Sequence, residues 1–162
     1  MGKRMYKFIF LLCVALCVCC TGCGKKLENK EKTMNKQTEI YLAGGCFWGT
    51  EHFLKQVNGV LNTETGYANG NGTDPTYEEV CTDKTGFAEA VRVVYNPEVL
   101  PLSLLLQLYF QSIDPTTLNR QGGDRGTQYR TGIYYTDPDD LPLILAEKEK
   151  LSKAYNNPVV VE

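Results

Sequence analysis

The sequence has one histidine in 162 residues. A histidine-built metal centre is therefore excluded, and any cysteine–histidine dyad would have to use His52. Basic excess is also missing. Lys and Arg number 17 against 19 Asp and Glu, a net charge of -2, without the clustered positive charge of a nucleic-acid binder. Cysteine is scarce where it would matter for a disulfide framework. Five of the seven cysteines lie at positions 13, 17, 19, 20 and 23, leaving only Cys46 and Cys81 for the rest of the chain. No C-x-x-C follows residue 23, which speaks against a thiol–disulfide exchanger. The apolar run Phe8–Cys20 is too short to cross a bilayer as a helix.

That run does fit the middle of an export signal, because the basic start Gly2-Lys3-Arg4-Met5-Tyr6-Lys7 precedes it. It ends in Cys20-Thr21-Gly22-Cys23, which resembles the cleavage and lipidation box of bacterial lipoproteins. Residues 1–22 are expected to be a lipoprotein-type signal peptide and Cys23 the lipidated first residue. The protein would then be exported and held by its lipid on the extracytoplasmic face of a membrane. An ordinary signal peptide and an uncleaved anchor are the alternatives. Residues 23–38 read as the lipidated cysteine and a Lys-rich, polar tether without apolar periodicity. One folded domain, residues 39–162, is expected to follow.

Within it, strands alternate with helices, which predicts an α/β architecture. Glu39–Ala43 reads as a strand stopped by Gly44-Gly45, and Cys46–Val57 as a helix with Phe47, Phe53, Leu54 and Val57 on its apolar side. A second strand runs through Tyr67. Pro75–Val80 reads as a short helix capped by Asp74, Phe87–Tyr95 as a strand, and Pro101–Ile113 as an apolar helix. Asp114–Arg130 is polar and aperiodic, and loops of that length in compact domains are usually functional. Thr131–Thr136 is expected to be a strand, a helix from Asp137-Pro138 to follow, and Val159–Glu162 to begin another strand.

Two residues suggest chemistry. Cys46 follows two glycines at a strand end and opens a helix, where free N–H groups and the helix dipole favour an anion; the plainer reading is an inert buried cysteine. His52, six residues on, faces another way around that helix, so a dyad is not expected. Glu89 shares one face of its strand with Phe87, Val91, Val93 and Tyr95. Burial there would raise its pKa and suit it to act as a general acid; the alternative is a strand-end glutamate reaching water. Phe47 and Trp48 follow the cysteine and would offer aromatic walls to a methyl group on sulfur, or simply pack in the core. The glycine-rich Gln121–Gly126 lacks the G-K-[ST] ending of a phosphate-binding loop.

Taken together, Gly44-Gly45-Cys46-Phe47-Trp48-Gly49, Thr65-Gly66-Tyr67, Pro75-Thr76-Tyr77-Glu78-Glu79-Val80-Cys81, Thr85-Gly86-Phe87-Ala88-Glu89-Ala90-Val91, Asp114-Pro115-Thr116 and Asn119–Arg130 resemble the type A peptide-methionine sulfoxide reductases. The ordered series runs from about Glu39 to Glu162. The resemblance implies a two-layer α/β sandwich with a mixed central sheet and the active site at the first helix. It makes Cys46 the nucleophile that attacks the sulfoxide sulfur and Glu89 the acid that protonates the departing oxygen. Tyr77 and Tyr129 would hold that oxygen, Asp124 would organise the pocket, and Phe47 and Trp48 would receive the S-methyl group. Cys46 would be left as a sulfenic acid.

The resemblance implies no metal and no organic cofactor. It implies a thioredoxin-like thiol reductant, with oxidised proteins or free methionine sulfoxide as substrates, acted on by a monomer. Recycling through a Cys46–Cys81 disulfide is the less favoured route. Many relatives have histidine at the position of Phe87, and relatives usually continue past Val161 through a segment that often carries recycling cysteines. The domain is thus expected to lack that C-terminal segment, and a catalytically impaired sulfoxide-peptide binding remnant is the alternative function.

Overall fold

The computed structural model describes residues 36–162. The expected signal peptide, Cys23 and most of the tether lie outside these residues. The domain opens with β1 (Thr38–Gly44), α1 (Phe47–Leu54), β2 (Val60–Ala68) and α2 (Tyr77–Val80). It continues through β3 (Ala88–Tyr95), α3 (Leu102–Gln111) and a two-residue hairpin, β4 (Arg120–Gln121) with β5 (Asp124–Arg125). A 3-10 turn (Thr127–Tyr129), β6 (Thr131–Tyr134), a second 3-10 turn (Pro138–Asp140) and α4 (Leu141–Ala154) complete it.

The main sheet has the order β2-β3-β1-β6 with antiparallel neighbours throughout. β1 and β2 run in the same direction but never touch, because β3 lies between them. The last residues add one contact of parallel sense to this sheet. Ile133 N donates to Glu162 O at 3.1 Å and Glu162 N to Thr131 O at 3.0 Å, the bonding pattern of a strand running parallel to β6. Val159–Glu162, expected to begin a strand, is not one, but its last residue bonds to the edge strand β6.

Alternation decides the two faces. Ile40 and Leu42 of β1 and Val91, Val93 and Tyr95 of β3 are buried on one of them. Leu102, Leu105, Leu106, Tyr109 and Phe110 form the helical stripe of α3 that belongs to the same core, with Leu54 of α1 and Ile144 of α4. This is the two-layer arrangement expected from the sequence. On the opposite face Arg92 bridges Glu39 and Glu64 at 2.6 and 2.9 Å, while small side chains, Ala43, Ala88 and Ala90, are buried beside Tyr134.

Three local expectations change. Asp74 does not cap α2; it sits at φ 53. Thr76 caps instead, through a reciprocal capping box in which its hydroxyl accepts from Glu79 N and Glu79 Oε2 accepts from Thr76 N at 2.8 Å. Asp114–Arg130 is ordered by bonds that leave no periodicity to read, since the Gln121 amide bridges Asp114 N and O at 2.8 and 2.7 Å. α1 ends at Leu54, after which Gln56 N and Val57 N turn to the carbonyls three residues back.

Candidate active site

Gly45 follows β1 at φ 84, a left-handed conformation that glycine adopts without steric cost. A Cβ on it would lie 2.5 Å from the Cβ of Gln121. The turn delivers Cys46 to the N-cap of α1, where its carbonyl accepts from Gly49 N and Thr50 N. Buried Thr50 binds the turn from the other side, its hydroxyl donating to Gly44 O at 3.1 Å. Beneath the turn, the fully buried Tyr109 donates its hydroxyl to Ala43 O at 2.6 Å. The strand end that carries the cysteine is thus fixed from the core.

Glu89 is 2% exposed, on the core face of β3. Its Oε2 accepts from Phe47 N at 3.0 Å, one of the free donors at the start of α1. Burial pushes its carboxyl above the ordinary range. The Phe47 N–H opposes that shift, and the negative charge of Asp124 adds to it. A buried carboxyl of this kind is suited to deliver a proton.

Cys46, Phe47, Trp48, Tyr77, Glu89 and Tyr129 line one cavity of about 300 Å³. The Phe47 and Trp48 rings are 6.1 Å apart at 31°, and Trp48 is 72% exposed, so the aromatic wall is open to solvent. The Tyr77 hydroxyl lies close enough to the Cys81 thiol and the Tyr129 hydroxyl for both to act on its ionisation. Both phenols are raised, Tyr77 first by the neighbouring Cys81 thiol and Tyr129 first by burial and then by the Glu89 charge. They remain hydroxyl donors at neutral pH. The arrangement offers a thiol, a buried acid, two hydroxyl donors and an aromatic wall around one space.

Asp124 stands apart from the lining residues. It is exposed on β5 and acts on Glu89 through its charge. His52 is exposed in the last turn of α1. Cys46 and Cys81 are free thiols. Among the described residues, no group of three or more His, Cys, Asp or Glu side chains is placed to hold a metal ion.

Tyr67, which no pattern in the sequence marks for a role, lies beside the site. It pairs with Glu89 across β2 and β3, and its ring lies 5.8 Å from that of Phe47. Burial and then the Glu89 charge raise its phenol. Nothing in the sequence fixes that pairing, because the register shifts between Val60 and Asn62.

A family model described as peptide methionine sulfoxide reductase matches residues 38–162. The peptide methionine sulfoxide reductase MsrA of Lachnoclostridium phytofermentans is 54% identical over 129 residues, covering 80% of this chain and 76% of that protein. Among solved structures, Mxr1 from Saccharomyces cerevisiae in reduced form is similar with a TM-score of 0.73 and 39% identity, over 78% of this chain and 74% of that one. Mxr1 in complex with Trx2 is similar with a TM-score of 0.59 and 29% identity, over the same shares.

Proposed function

The chain belongs to the peptide methionine sulfoxide reductase family, type A, and from that premise we propose a reaction path for its activity as a peptide-methionine (S)-S-oxide reductase. Cys46 attacks the sulfoxide sulfur while the methyl group rests against Phe47 and Trp48. Tyr77 and Tyr129 donate hydrogen bonds to the sulfoxide oxygen, and Glu89 gives that oxygen its proton. The S–O bond to methionine breaks as the oxygen passes to Cys46. Methionine sulfur gains two electrons and Cys46 sulfur loses two, leaving a sulfenic acid. Two external thiols then return Cys46 to the thiol, releasing water and a disulfide.

The observation that carries this path is the convergence of Cys46 and buried Glu89 on one cavity whose other walls are aromatic rings and two phenols. Asp124 enters as a charge that keeps Glu89 protonated to higher pH. The complex of the Saccharomyces cerevisiae relative with Trx2 supports a thioredoxin-like reductant. The substrates are methionine S-sulfoxide in oxidised proteins or as the free amino acid, and neither a metal nor an organic cofactor takes part. The lipoprotein-type start supports export and tethering through Cys23 on the extracytoplasmic face of a membrane, where the enzyme acts as a monomer. Intact-mass analysis of the membrane-extracted protein tests the anchor: a diacylglyceryl group on Cys23 is expected, and a free N-terminus in the soluble fraction contradicts it.

The path is tested by incubating the chain with dithiothreitol and each methionine sulfoxide epimer. Repeated turnover of the S epimer, abolished by Cys46→Ser, is expected. A folded chain that binds sulfoxide peptide without turnover would favour a catalytically impaired remnant.

A further inference from the structure

We propose that Asp83 is a positioning residue that clamps the segment carrying Tyr77 to the segment carrying Tyr129, and so sets the spacing of their hydroxyls. The inference rests on the reading in which those hydroxyls hold the sulfoxide oxygen. α2 is only four residues long and buries only Val80. Its capping box fixes the shape of the turn but not its place on the domain. Tyr77 therefore needs a second anchor if its hydroxyl is to stay in register with Tyr129.

Asp83 supplies one. Its Oδ1 accepts from Thr127 N at 2.8 Å and from the Thr127 hydroxyl at 2.7 Å, across 44 residues of sequence. Thr127 opens the 3-10 turn that ends in Tyr129, so the same carboxylate caps that turn and ties it to the end of α2. The Thr127 hydroxyl and then its N–H hold Asp83 below the usual carboxylate range, and the clamp stays charged at neutral pH. Asp83 sits at φ 60, a conformation glycine would hold at no steric cost. An aspartate there brings a side chain whose two bonds go to the segment carrying Tyr129. Arg130 binds the same turn, donating to Thr127 O at 3.1 Å and Gly86 O at 2.9 Å. Neither of those bonds reaches α2.

The test uses the full chain and the single-turnover rate at saturating methionine S-sulfoxide. Asp83→Gly keeps the backbone conformation and removes the clamp; a fall of at least about tenfold is expected, the scale on which small misplacement of catalytic groups is felt. Asp83→Asn retains an acceptor and tolerates the same φ, and should restore most of the rate. Thr127→Val deletes one of the two bonds and should fall between. In a Tyr77→Phe background Asp83→Gly should cost less than about twofold, because residues acting as a unit are non-additive. A full rate in Asp83→Gly, no rescue by Asn, or an undiminished loss in the Tyr77→Phe background overturns the proposal. Should Tyr77→Phe and Tyr129→Phe themselves keep the full rate, the role of the hydroxyls has failed and the clamp has nothing to position.

Discussion

Replacing Glu89 by glutamine removes a proton while keeping the shape of the side chain. The amide oxygen of Gln can still accept from Phe47 N, now bonded to the carboxylate at 3.0 Å, so the turn that carries Cys46 should be undisturbed. General acid catalysis contributes about 10²–10⁴-fold, which is about 3–5.5 kcal/mol of barrier at about 1.4 kcal/mol per tenfold. A single-turnover rate lowered by that factor is expected in rapid-quench measurements with methionine S-sulfoxide. Stability should move the other way. The folded-state pKa of Glu89 is raised by burial from an ordinary value of 4.5. Its protonated form is the one the fold prefers, so the stability it contributes is full below about 4.5 and is lost as pH rises through the raised value. Glu89→Gln should therefore be at least as resistant to urea as the parent at pH 8, with the advantage shrinking toward pH 4.5. Glu89→Ala should instead lose about 1–3 kcal/mol, because Phe47 N is left without its partner. A Glu89→Gln rate within threefold of the parent would refute the assignment of the acid.

Asp124→Asn removes the charge that helps raise Glu89; the limb in which the single-turnover rate falls with rising pH should move to lower pH, with the plateau unchanged. Tyr109→Phe deletes the hydroxyl bonded to Ala43 O at 2.6 Å, and a loss of about 1–3 kcal/mol is expected in chemical denaturation. Gly45→Ala forces a Cβ to within 2.5 Å of Gln121 at φ 84. It should lower the thermal midpoint and slow the reaction at Cys46 by about tenfold or more, on the scale of a misplaced reacting group.

Much of the site is legible in the sequence because its logic is local. Two glycines before Cys46 mark a strand-to-helix turn, and period-2 alternation alone puts Glu89 among Val91, Val93 and Tyr95, where it is found buried. What escapes is whatever depends on register or on bonds between distant segments. Tyr67 reaches Glu89 only through the pairing of β2 with β3, and the irregularity near Val60 hides that pairing. Asp83 looks like an ordinary turn residue until Thr127 is brought beside it. Asp114–Arg130 reads as featureless for a related reason, since the Gln121 amide takes over bonds that a helix or strand would make within its own backbone.

The most direct measurement is a reductant-free single turnover of the full chain with L-methionine-S-sulfoxide, counting methionine per protein and trapping sulfenic acid for peptide mapping. About one methionine per chain, with the trapping label on Cys46 and neither product from Cys46→Ser, is the expected result. No methionine from a chain shown folded by circular dichroism, or a label on Cys81 in place of Cys46, would contradict the chemistry assigned to this cavity.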